Sequence, residues 1–376
     1  MASYRLQLYD FDTDYSPKDL VAEFENPKNL GYGSYLNDIG EAFFTIAQRD
    51  AKVGIRDYIG KSHLFIIRED RGYEDVVWRG LTGETDANAT DVIIYSYGYE
   101  HLFHSLHSKW NKKFKSVAIA GASGRPVNYL WNRALTETDS PMQWMSTGTI
   151  QAPWTTDAQT TVLTLNKYEL NWKPLLLALK ELVAIATSDT NNVVYFEIGF
   201  PTDPTDKSAT FNFYKDRSTD VTALRLEYPN TVMDWNDRFV PVMLRNKTFA
   251  VGSGPRGQVY RYNYGQGLGN YGRVAFGMHS QNLYLSWVRD RQELGRVTRR
   301  RNNLGLREDV NLMVRCWADR VPPWRSSASS GRLGDKVQTK ISHGSTEIDK
   351  NLFMIGEQVV FANGREYVQP MLEDRT

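Results

Sequence analysis

His101, His104 and His107 recur at three-residue intervals and are the nearest approach to a metal-ligand pattern in this sequence. On a helix over 99–110 they fall largely opposite Leu102, Phe103, Leu106 and Trp110, on the solvent side. A closed zinc site needs four ligands, and no further His or Cys lies nearby, so a solvated histidine face is expected and no metal ligand is assigned. Cys316 would act as a nucleophile only beside a base. No catalytic His is identifiable beside it, and its apolar surroundings mark it as a small core residue. Gly267-Leu268-Gly269-Asn270-Tyr271-Gly272 has the spacing of a dinucleotide-binding loop. The preceding Val259–Asn263 alternates like a half-exposed strand, however, and Val274–Gly277 is too glycine-rich to open the required helix. A Gly/Tyr loop is expected there. No pair of carboxylates stands out as acid and base, and no GxSxG, HExxH or P-loop pattern occurs. The sequence therefore assigns no catalytic, cofactor-binding or metal-binding residue, and no enzymatic activity is expected.

One segment is strongly basic: Arg289, Arg291, Arg296, Arg299, Arg300 and Arg301. Asp290, Glu293, Glu308 and Asp309 dilute it, so an exposed loop or a contact with an acidic partner surface is expected ahead of nucleic acid. Over all 376 residues, 45 Lys+Arg and 44 Asp+Glu nearly cancel. That balance excludes a globally basic nucleic-acid binder and an acidic solvating tail. Aromatic residues are the anomaly, with 10 Trp, 21 Tyr and 16 Phe; such side chains suit strands, thin cores and interfaces. A single cysteine allows no intrachain disulfide. The N-terminus lacks an apolar signal core, and no 18-residue apolar run exists. Leu175–Ala186 is short and holds Lys180 and Glu181, so it reads as a buried helix. A soluble protein made in a reducing cytoplasm, with no membrane segment, is expected.

The elements that must position these residues are mostly strands. Period-two alternation predicts strands at Tyr4–Leu8, Leu20–Phe24, Phe43–Gln48, His63–Arg68, Val76–Leu81 and Val92–Tyr97. Six short strands in about a hundred residues suit a small barrel or sandwich. Two helices are predicted, over 99–110 and from Pro174 into Leu175, Leu179, Leu182 and Ala186. Strands resume at Val193–Phe200 and Ala209–Lys215 as a hairpin. Val310, Met313, Val314, Trp317 and Val321 are spaced as a helical stripe ended by Pro322-Pro323. Three strands close the chain, at Lys336–Ile341, Leu352–Phe361 and Tyr367–Leu372, with Asn363-Gly364 as a tight turn.

Three segments, in this order, give a resemblance. The first is Asn37-Asp38-Ile39-Gly40-Glu41-Ala42-Phe43-Phe44-Thr45-Ile46, followed by Ile59-Gly60-Lys61 and Val77-Trp78-Arg79-Gly80. The second is Ile93-Ile94-Tyr95-Ser96-Tyr97-Gly98-Tyr99-Glu100-His101-Leu102. The third is Arg332-Leu333-Gly334-Asp335-Lys336-Val337 with the terminal hairpin through Gly364. Together they resemble the baseplate-hub or tail-tip (tail-associated) proteins of tailed bacteriophages.

The resemblance implies a mainly β chain with some α structure, built as two small hub-type β-barrels plus two helix-containing regions. The first barrel would span 1–98 and a helix-containing region 99–190. A second barrel, discontinuous in sequence, would combine 191–225 with 326–376 around an inserted helix-containing region at 226–325. Implied too is a homotrimeric structural hub at the distal tip of the tail, in the virion. Its partners would be the distal tail protein ring, the C-terminus of the tape-measure protein, and tail fibre, spike or receptor-binding proteins. DNA would be only a transient passenger through a central channel. The alternative expectation is a β-rich carbohydrate- or receptor-binding tail module.

Overall fold

The computed structural model describes residues 3–25, 27–48, 60, 62–70, 72–106, 112–137, 140–152, 164–170, 173–189, 194–215, 220–237, 247–253, 259–265, 280–285, 288, 291–292, 294–295, 298–299, 311–321, 333–344, 346–362 and 364–373. The fold is mainly β with some α structure, as expected. The N-terminal strands are β1 (Ser3–Phe11), β2 (Pro17–Glu25), β3 (Asn29–Tyr35), β4 (Glu41–Ala47), β5 (Ser62–Asp70), β6 (Tyr73–Ala87) and β7 (Asp91–Gly98). A mixed region follows: α1 (His101–Ser105), β8 (Lys112–Ala118), α2 (Pro126–Thr136), β9 (Ser146–Ile150), β10 (Thr164–Leu170), α3 (Leu175–Asp189), β11 (Val194–Gly199) and β12 (Thr210–Lys215). Strands follow: β13 (Asp220–Glu227), β14 (Val232–Asp237), β15 (Lys247–Ser253), β16 (Val259–Gly265), β17 (Ser280–Leu285), β18 (Asn311–Trp317), β19 (Lys336–His343), β20 (Thr346–Ala362) and β21 (Arg365–Glu373), with helical residues at 291–292, 294–295 and 298–299 between β17 and β18.

All six strands expected in the first hundred residues are present, and each contributes apolar side chains to the core: Leu6 and Leu8, Phe44 and Ile46, and in β5, buried on both faces, Leu64 and Ile66. The seventh, β3, carries Gly31 and Gly33, residues that disfavour strands and hide this one from a pattern reading. Its cross-strand partner Phe43 lays its ring where a Gly31 side chain would stand, so a flat aromatic replaces the missing Cβ. The predicted 193–200/209–215 hairpin forms, with Val194 opposite Lys215 and Gly199 opposite Thr210. At the C-terminus Ala362 pairs with Arg365, leaving a two-residue turn in which Gly364 takes φ +72°.

Two expectations are corrected. Met313, Val314 and Trp317 belong to strand β18, not to a helix. Leu312, Val314 and Cys316 are buried while Met313 and Arg315 are exposed, so the period that governs is two. The β-branched Val314, the aromatic Trp317 and pairing on both sides, with β14 and β21, decide the outcome against the coincidental i, i+3, i+4 spacing. Pro322 and Pro323 lie outside the described residues. The helix expected over 99–110 is short: α1 buries Leu102 and Phe103, and the chain becomes extended at Leu106. Trp110 and His107 lie outside the described residues.

The large sheet runs β14-β18-β21-β20-β3-β4-β7-β6-β5-β1-β2, with β19 on β20 and β13 on β19. The 17-residue β20 is the weld in this order. Residues 346–353 pair with β19, while 356–362 pair with β3 on that side and with β21 on the other. The two ends of the chain thus share one sheet and one core, in which Leu6, Phe44 and Ile66 accompany Val314, Leu352 and Val368. A second core lies in the mixed region, where α3, which buries Leu179 and Leu182, meets Phe103, Leu130, Trp131, Phe196 and Phe211. Trp131 stacks on Phe211 with ring centroids 4.6 Å apart. A separate small sheet, β16-β15-β17, packs its inner face on Val288 and Leu294.

Candidate functional site

The polar side chains with structural consequence gather where these units meet. Arg68, buried on β5, and Glu366, on β21 with its side chain 9% exposed, form a two-pronged ion pair: Nε donates to Oε1 at 2.8 Å and Nη2 to Oε2 at 2.9 Å. The Tyr4 hydroxyl also donates to Glu366, and Tyr32 lies beside it. Burial works against the Arg68 charge, but the hydrogen bonds and charge of Glu366 outweigh it and hold the guanidinium protonated. Burial, with Glu366 adding to it, pushes both tyrosines well above the usual phenol range. This cluster clamps the N-terminal strands to the C-terminal hairpin.

Arg79 clamps the same strands to the segment between β11 and β12. It is only 2% exposed, and its guanidinium lies 4.2 Å from the Phe65 ring centroid and 5.2 Å from that of Phe200. Its Nη atoms donate to the carbonyls of Pro201, Asp203, Asp206 and Ser208 at 2.6–3.1 Å. The Val76 amide adds a bond to the Thr202 carbonyl at 2.7 Å. The loop keeps its shape through Asp203, which accepts from the Thr205 amide and hydroxyl, and Asp206, which accepts from the Ser208 amide.

His63 sits in an aromatic box of Phe11, Tyr99 and Trp144. Burial pushes its pKa down to about 3, so the ring is neutral. The Tyr15 carbonyl, 2.9 Å from Nε2, can only accept, which places the proton on Nε2 and leaves Nδ1 to accept from the Tyr99 hydroxyl at 3.0 Å. A small cleft opens beside these clamps, with Trp78, Arg79, Tyr99, Glu100 and Glu197 in its lining. Among the described residues no group of three His, Cys, Asp or Glu could hold a metal ion.

The segments that carry the resemblance converge on this junction. Asn37, at φ +61°, bonds with Oδ1 to the Phe196 amide at 2.9 Å and with Nδ2 to the Val194 carbonyl at 3.3 Å, while Asp38 pairs with Lys180 at 2.7 Å. Gly98 donates to the Gly40 carbonyl at 2.6 Å, and Trp78 donates to the Gly33 carbonyl at 3.2 Å. Gly80 has no room for a side chain, since a Cβ would meet the Tyr97 carbonyl. Gly334, at φ +91°, and Asp335 exchange backbone bonds with Met354 at 2.8 and 3.0 Å. Ile59, Lys61 and Arg332 lie outside the described residues.

The candidates for chemistry do not assemble here. His101 stacks on Tyr97 with centroids 4.9 Å apart, and burial together with the His104 charge lowers its pKa. His104 is exposed. Cys316 is buried on β18, and burial pushes its thiol up to about 12, which disfavours the thiolate a nucleophile requires. The Gly267–Gly272 motif, Arg289, Arg296, Arg300 and Arg301 lie outside the described residues, whereas Arg291 and Arg299 are exposed. A pattern reading missed Arg68, Glu366 and His63; only their occurrence inside strand patterns hinted at burial.

No protein-family model and no curated protein matches the sequence, so the likeness to known proteins is structural. The chain is similar to the 43 kDa tail protein of prophage MuSo2 from Shewanella oneidensis, at TM-score 0.59 and 8% identity over 98% of each chain. It is similar to a tail protein of Neisseria meningitidis MC58, at TM-score 0.58 and 10% identity, over 99% of this chain and 96% of that one. It also matches a chain of the Francisella PdpA-VgrG complex, at TM-score 0.56 and 8% identity, over 100% of this chain and 58% of that one. From β1 to β21, the chain has the fold of phage tail proteins.

Proposed function

We propose that this protein is a structural, non-enzymatic baseplate hub at the distal tip of a phage tail. One observation carries the reading: the likeness to two phage tail proteins extends over nearly the full length of both chains, as expected when the whole chain rather than one module is shared. In this reading three copies form a ring joining the tail tube and distal tail ring to spike or receptor-binding proteins. The spike-side partner is suggested by the complex in which the Francisella neighbour occurs. The C-terminus of the tape-measure protein meets the ring from above, and DNA passes through its centre.

Barrels at 1–98 and at 191–225 with 326–376 belong to the same proposal, as do helix-containing regions at 99–190 and 226–325. The clamps suit such a part. A ring that transmits receptor engagement must move as rigid pieces, and Arg68–Glu366, Arg79 and the β3–β20 pairing tie distant segments together. Strands β2 and β14 end the sheet path and offer backbone groups to a neighbour in a closed assembly. The test is binding to a ring-forming distal tail protein from the same phage: co-elution at a fixed stoichiometry supports the hub. Failure to bind, with glycan binding by the lone chain instead, favours the receptor-binding module.

A further inference from the structure

The near-zero charge of the whole chain conceals a local excess. Residues 247–301 hold ten Lys/Arg against two Asp/Glu, which leaves 35 against 42 over the rest. The small sheet β16-β15-β17 lies in this stretch, and none of its strands contains a carboxylate. Its inner face, with Ala250, Tyr262 and Leu283, packs on Val288 and Leu294. On its outer face Val259 is 55% exposed and Tyr284 78%. On that face Arg261, Val251 and Tyr284 form one cross-strand row, and Phe249 stands in the next row beside Asn282. Arg261 and Asn282 are exposed too, as are Arg291 and Arg299 in the segment beneath the sheet.

We propose that this outer face binds single-stranded nucleic acid. Flat, exposed rings on a sheet accept bases by stacking, and cations without competing carboxylates accept phosphates. Tyr284 supplies the ring, and Arg261 stands two strands from it, within reach of an adjoining phosphate. Charge complementarity selects a polyanion, and the exposed Tyr284 ring selects one with unstacked bases over an acidic protein surface. The interaction is independent of sequence and weakens with salt. It does not depend on the hub reading, which stands whether or not the platform binds.

The experiment uses the full chain and a fluorescein-labelled oligothymidylate of about 20 nucleotides, long enough to cover one stacking platform. Anisotropy should report binding at about 50 mM salt that weakens more than about tenfold by ~200 mM. Tyr284→Ala should weaken it at least about fivefold, the low end for one stacked base. Tyr284→Phe, which keeps the ring, should retain it, and Arg261→Glu should weaken it and flatten the salt dependence. Unchanged melting temperatures would show that these surface changes leave the fold intact. The proposal is overturned by no binding at low salt, by wild-type affinity in both Tyr284→Ala and Arg261→Glu, or by tighter binding of a poly-glutamate peptide than of the oligonucleotide.

Discussion

Arg68 and Glu366 stand 298 residues apart in sequence and meet through two hydrogen bonds of 2.8 and 2.9 Å. Their pairing is the polar counterpart of the β3–β20 weld, since each fastens an N-terminal strand to the C-terminal hairpin. Removing one partner strands a buried charge. Glu366→Leu should cost about 3–5 kcal/mol in urea unfolding. The double variant Arg68→Leu/Glu366→Leu should recover much of that loss, because no charge is then left unpaired.

His63 gives stability a dependence on pH. Its folded pKa of about 3 lies below that of an unfolded histidine near 6.5, so the unfolded chain binds the extra proton between these values. Its contribution is present above pH 6.5 and lost as pH falls toward 3, at up to about 1.4 kcal/mol per pH unit. In His63→Gln, which retains a donor and an acceptor, unfolding free energies measured from pH 7 to 4 should fall less steeply than in the wild type.

Gly80 and Gly31 both lack space for a methyl group but differ in what fills it. At Gly80 the obstacle is the Tyr97 backbone carbonyl, and at Gly31 it is the edge of the Phe43 ring. Gly80→Ala should therefore cost about 3 kcal/mol and Gly31→Ala about 1 kcal/mol, the ring being able to turn aside. Thermal melts of the two variants order them directly.

Arg79→Met keeps much of the side-chain volume but removes the guanidinium bonds to the Pro201, Asp203, Asp206 and Ser208 carbonyls. Limited proteolysis should then cut this loop at enzyme concentrations that leave the wild type intact. Arg79→Lys should behave similarly, because an ammonium cannot span four carbonyls as a planar fork does.

How much of this was legible in the sequence depends on the range of the interaction. Alternation exposed the N-terminal strands because a half-buried strand writes its pattern locally, as Val92 and Ile94 of β7 do. Strand β3 was hidden because Gly31 and Gly33 are chosen for the rings that cover them. Strand β18 read as a helix because Met313, Val314 and Trp317 fit both periods, and only pairing with β14 and β21 breaks the tie. The short segments around Asn37, Gly98 and Gly334 carried the resemblance, since each performs a backbone task that leaves few residue choices. Its clamps did not show, because nothing near Arg68 or Arg79 in sequence names Glu366 or the 201–208 carbonyls.

The central claim, that three copies form the tail hub, is tested most directly by the mass of the purified full-length protein in solution. Analytical ultracentrifugation across a concentration series should show self-association to a species of three times the chain's 43.1 kDa. A single 43.1 kDa species at every concentration, unchanged by the distal tail ring, would contradict it.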